Sequence, residues 1–150
     1  MTTYRRELHD DDSGNAIVEF VYLAVLLMVP LVYVLLTVFR VQGATYAVSS
    51  ATREAGRVFV TAPSGDVADG RAVTAASIVM ADSHLTLRPR DLDIRCSARP
   101  CLVPGETVEV TIGYDVALPF LPSLLTRSGR GSVHVTGRHL EVVDRFRAAR

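Results

Sequence analysis

From Phe20 to Phe39 the chain reads FVYLAVLLMVPLVYVLLTVF, twenty residues without a charge. Only Thr37 and Pro30 interrupt the apolar run. As a helix rising about 1.5 Å per residue, it extends roughly 30 Å, the thickness of a bilayer's hydrocarbon core. A buried core helix of that length would normally carry a polar face, and this run has none. Proline is tolerated in membrane helices, where it kinks them. One transmembrane helix near the N-terminus is therefore expected. The competing reading is a cleaved secretory signal, with the small residues Gly43 and Ala44 following the run. The apolar stretch exceeds the roughly 7–15 residues of such signals, and the start sets two Arg against four acids.

The remaining composition narrows the function. The 150 residues hold 16 basic and 16 acidic side chains, every basic one an Arg, so the formal charge is zero. No basic excess is available to meet phosphates, so a nucleic-acid partner is not expected. A chain that is 49% hydrophobic is not of the disordered class either. Its two cysteines, Cys96 and Cys101, have a C-x4-C spacing with Pro100 between them. Zinc knuckles and thioredoxin-like sites use two intervening residues instead. A short disulfide closing a turn is the preferred reading, and two free cysteines packed as small apolar residues are the alternative. A disulfide would put residues 41–150 outside the cytoplasm. The arginines are ambiguous on topology and lean the other way. Arg5 and Arg6 precede the helix and Arg40, Arg53 and Arg57 follow it.

Glu19 interrupts the apolar stretch that begins at Ala16. A carboxylate costs about 3 kcal/mol at the bilayer centre and less near the interface. An interfacial Glu in the first turns of a helix, favoured by the helix dipole, is the plain account. The neighbouring residues suggest another. Asp10-Asp11-Asp12-Ser13-Gly14 is followed by Asn15-Ala16-Ile17-Val18-Glu19-Phe20, which runs straight into the apolar helix. This G-xxxx-E-F junction resembles the prepilin peptidase site of type IV pilin-like proteins. The resemblance implies a leader of residues 1–14, cleavage after Gly14, and a mature chain beginning at Asn15. It also implies that Glu19 pairs with the new α-ammonium, setting the axial register of one subunit against the next. The acidic leader departs from the basic one of classical pilins.

Beyond the apolar run, Val41, Ala44, Val48, Ala51, Ala55 and Val58 recur at spacings of three and four. One long helix from about Ala16 to Val60 is expected, with Ala62-Pro63-Ser64-Gly65 ending it. Its small-residue stripe suits close packing, on the domain's own sheet or on a neighbouring subunit. A second helix, about Asp66 to Ala81, would present Val67, Val73, Ala76, Val79 and Met80. The period then changes to two. Leu92 and Ile94 alternate with charged residues, and Glu106–Leu118 alternates throughout. A third strand starts at Val133 and reaches Leu140 or Val142. The apolar loop Pro119–Leu125 would pack over the sheet edge or form an exposed contact surface. The fold class is α+β: a long N-terminal helix, transmembrane then amphipathic, a second helix, and an antiparallel sheet of three to four strands.

Taken together, leader, junction, long helix, small α+β domain and C-x4-C loop resemble the TadE-like pseudopilins of tight-adherence (Tad/Flp) type IV pilus systems, in their actinobacterial form. The resemblance implies a minor pilin with leader 1–14, a transmembrane helix over 15–40 and an extracytoplasmic domain over 41–150. Its partners would be the membrane, a prepilin peptidase, other pilin-like subunits and the pilus assembly machinery. The N-terminus would be cytoplasmic. Processing would involve Gly14 and Asn15, and assembly Glu19 and Phe20. An uncleaved single-pass anchor carrying a scaffold, sensor or adhesion domain is the alternative. No catalytic, metal-binding or cofactor-binding residue is expected, and no small-molecule substrate. His9, His84, His134 and His139 fit no metal or nucleophile signature. His134 and His139, five apart on a strand, should face opposite sides. Residues 1–14 carry −2 (two Arg, four acids), which leaves +2 on the remainder of the neutral chain.

Overall fold

The computed structural model describes residues 12–118 and 131–147, with side chains from residue 16 onward. Most of the leader and the loop at Pro119–Leu125 fall outside the described residues. Helix α1 spans Asp12–Val60 and α2 spans Gly65–Asp82. A 3₁₀ turn at Pro89–Asp91 leads into β1 (Leu92–Cys96), followed by β2 (Thr107–Ala117) and β3 (Ser132–Val142). The strands form an antiparallel sheet in the order β1-β2-β3, a simple meander. The α+β class and the element order agree with the sequence reading.

Two compact units divide the chain, Met1–Val38 and Phe39–Arg150. The first holds the apolar part of α1, whose large side chains from Ile17 to Val38 are mostly exposed. Thr37, a polar residue in that stretch, donates its hydroxyl to the Tyr33 carbonyl at 2.9 Å. The helix thus satisfies that group internally.

The second unit builds a core from unusually small side chains. Along α1, Ala44, Ala47, Val48, Ala51, Thr52, Ala55 and Phe59 are buried. The expected stripe is present, except that Val41 and Val58 are half-buried and Phe59 takes an inner position. Thr52 is buried without an orphaned group, since its hydroxyl donates to the Ser49 carbonyl at 2.9 Å. In α2 the buried line is Ala68, Ala72, Ala76 and Met80, a strict i, i+4 series. Val67, expected inside, is exposed, and Val73 and Val79 flank the line half-buried. Alanine wins these positions because a helix lined with methyl groups can approach its neighbours more closely than one lined with valines. A left-handed residue closes α2. With His84 at φ 57°, its N–H bonds the Ala81 carbonyl at 2.9 Å, and the Leu85 N–H bonds the Met80 carbonyl at 3.0 Å.

In the sheet, Val108, Val110, Ile112 and Val116 of β2 point into this core. The register pairs Ile94 with Val110, Val110 with His139, and Ile112 with Gly137. No bulge interrupts β2–β3, so the parity of β3 is fixed along its length. Val133, Val135, Gly137, His139 and Glu141 therefore share the inner face. Leu140 and Val142 turn outward, 60% and 54% exposed. At Gly137 the helix packs directly over the sheet. A Cβ there would lie 2.7 Å from Val48 Cγ1 and 3.0 Å from the Val48 carbonyl oxygen.

Candidate functional site

The residues read as a processing and assembly site lie at the start of α1. Gly14 and Asn15 have helical backbone, since the helix begins at Asp12 rather than near Ala16. Glu19 and Phe20 follow on an exposed stretch, Phe20 at 72%. Glu19 forms no ion pair among the described residues. It is the only charged residue between Ala16 and Phe39. Cleavage after Gly14 would make Asn15 the first residue of the helix, with Glu19 four positions on. A free α-ammonium at a helix N-terminus meets the positive end of the helix dipole and is destabilised there. A carboxylate one turn away offsets that, as does one from an adjacent chain. By length and composition α1 can cross a membrane.

The second cluster is the disulfide loop. Cys96 and Cys101 are bonded, with their Cα atoms 5.5 Å apart. The bond closes the β1–β2 connection, which is also clamped by Ser97. The Ser97 hydroxyl donates to Glu106 Oε2 at 2.7 Å and accepts the Thr107 N–H at 2.9 Å. Gly105 turns the chain back with φ 84°, a conformation that favours glycine. Cys96 and Cys101 are five positions apart, so the bond closes a short loop. Chain-entropy scaling for such a loop gives about 2 kcal/mol. Reduction, or Cys96→Ala with Cys101→Ala, should lower stability by about that amount in urea unfolding of the full chain in detergent.

Elsewhere several ionisable groups form pairs. Arg57 donates to Glu54 through Nε at 3.0 Å and Nη2 at 2.6 Å. This hydrogen bond holds the Glu54 carboxyl below its ordinary range and raises the Arg57 guanidinium. Arg138 pairs with Glu109 across β2 and β3, which raises the Arg138 guanidinium in the same way. His134 meets Asp115 at 2.8 Å on the outer face, and His139 meets Glu141 at 2.9 Å on the inner face. The two histidines face opposite sides, as their spacing requires. Among the described residues no three His, Cys, Asp or Glu side chains converge as a metal-binding group.

Sequence reasoning missed one structural residue entirely. The Arg147 guanidinium donates to the carbonyls of Val60 at 2.7 Å, Ala62, and Pro63 at 3.2 Å. These carbonyls sit at and just beyond the end of α1, where helical partners run out. A cation there also suits the negative end of the dipole. The sequence offers no signal for it, because the partners are more than 80 positions away. Arg147→Ala should cost about 1–2 kcal/mol in urea unfolding. Arg147→Lys should recover less than half of that, because lysine lacks the planar fork.

Comparison with protein-family models, curated proteins and solved structures gives no match.

Proposed function

We propose that the chain is a pilin-like subunit, a TadE-like minor pilin of a tight-adherence type IV pilus. In this reading a prepilin peptidase removes residues 1–14, α1 anchors the mature chain in the membrane, and the α+β unit stands on the extracytoplasmic side. The observation that carries the proposal is Glu19. It is a lone carboxylate in an apolar helix, five residues after a glycine that ends a polar segment. A charge in that position needs a partner, and an intramembrane ionisable residue marks a functional site by default. The bonded Cys96–Cys101 pair supports an oxidising location for the outer unit.

A second reading has its own support. An uncut anchor for an extracytoplasmic scaffold, sensor or adhesion domain fits the helical backbone that continues through Gly14 and Asn15. Mass spectrometry of the N-terminal peptide from membrane fractions separates the readings. The pilin-like reading requires a mature start at Asn15. A start at Met1 or Thr2 would overturn it in favour of the uncut anchor. A start at Ala44 would refute both, since the helix would then be a removed signal.

A further inference from the structure

The end of α1 and the outer side of α2 enclose a shallow apolar groove. Val58, Val67, Gly70, Thr74, Ala75 and Ile78 line it, and Arg71 stands among them. Ile78 is 58% exposed there, and Gly70 leaves open space above its backbone. Two turns of α2 thus carry apolar side chains that their own core does not use. Arg71 makes no ion pair among the described residues.

The same unit carries a side chain of matching chemistry. Phe146 follows the sheet and is 95% exposed, the most exposed of the large apolar residues described. It sits in a fixed turn. The Asp144 Oδ1 atom accepts the Phe146 N–H at 2.8 Å, and the adjoining Arg147 is tied to the end of α1. The turn therefore presents an aromatic ring with a carboxylate two residues away. Phe146 cannot be filling its own chain's groove while it is this exposed.

We propose that the groove receives Phe146 from a second copy of the chain, with Asp144 of that copy set against Arg71. Two arguments favour a second copy. The groove is apolar and the ring needs cover. Arg71, the charged residue of the groove's lining, is positive, and Asp144 of the turn is negative. Aromatic anchors seated in pockets dominate the energetics of such contacts. One ring makes a small interface, and a shared membrane anchor would offset this by raising the local concentration of copies. The contact goes beyond the pilin-like reading and does not depend on cleavage after Gly14.

The test uses the full chain in membranes, as two differently tagged copies, one with Arg145→Cys beside the intact ring and one with Thr74→Cys in the groove. A short bismaleimide linker joins free thiols and leaves the Cys96–Cys101 bond alone. The mixed dimer should form roughly tenfold or more above a control that pairs Arg145→Cys with Ser50→Cys. Val67→Cys serves as an independent groove position. Adding Arg71→Asp to the groove copy should reduce the yield to near control. Adding Phe146→Ala to the other copy should have the same effect. A yield at control level from both groove positions would overturn the proposal, as would a yield that Phe146→Ala leaves unchanged. Repeating the cross-link in a chain that still starts at Met1 keeps this outcome separate from the fate of the pilin-like reading.

Discussion

A chain carrying Gly137→Val is expected to lose the folded outer unit. Gly137 lies under α1 with no room for a side chain. Its added Cβ would sit 2.7 Å from Val48 Cγ1 and 3.0 Å from the Val48 carbonyl oxygen. The methyl group of Val48 has some freedom to turn away, but the carbonyl belongs to a helix fixed by its own hydrogen bonds. Alanine at 137 alone should cost about 1–3 kcal/mol through overpacking. Valine adds two more methyl groups in the same gap, and a cost above about 4 kcal/mol removes most of the stability of a small domain. Urea unfolding in detergent should show no cooperative transition for Gly137→Val and a clear shift for Gly137→Ala. Gly43→Ala is the control. Nothing lies within 4 Å of a Cβ at that helical position. That change should be neutral or stabilising by up to about 1 kcal/mol. A normal transition for Gly137→Val would mean that helix and sheet do not meet as described.

The second large effect concerns Glu19→Val. The substitution makes α1 more apolar, so membrane insertion should be unchanged or improved. Assembly should fail. If Gly14 is cut, the Asn15 ammonium in an assembled fibre loses its carboxylate. Breaking a buried ion pair by removing one partner costs about 3–5 kcal/mol. That corresponds to a loss of roughly 100-fold or more in the subunit equilibrium. The measurement is the amount of surface pilus relative to membrane-inserted protein, with cleavage after Gly14 followed in parallel. A normal pilus from the cleaved variant would remove the pairing role from Glu19.

Much of the fold was legible because two periods in the sequence are strong. The unbroken alternation of Glu106–Leu118 specifies β2, and Val108, Val110, Ile112 and Val116 are buried as that alternation requires. The length of α1 follows from the apolar run joined to a stripe at three and four. What the periods do not resolve is which of two neighbouring apolar residues turns inward. In α2 the sequence favours valines, while close packing selects the alanine line Ala68, Ala72 and Ala76. In β3 the valines at 133 and 135 reveal the strand. Its later inner residues are Gly137, His139 and Glu141, set by register against β2 rather than by hydrophobicity. Of the candidate site, Glu19 is plain from its isolation in the apolar run. The Arg147 contacts and the Phe146 turn depend on where the chain's last part returns, which no local pattern encodes.

The contact between Val48 and Gly137 also orders events in time. It joins positions about 90 residues apart, so it cannot form early from local encounters. The three strands follow one another in the chain and can assemble among themselves across connections of at most 14 residues. The part of the α1 face around Val48, made far earlier in the chain, lacks its Gly137 cover until β3 is in place. During that interval a stretch of helix suited to close approach stands uncovered, open to any other helix that reaches it first. Completion of β3 is thus the step that withdraws this stretch from competing partners.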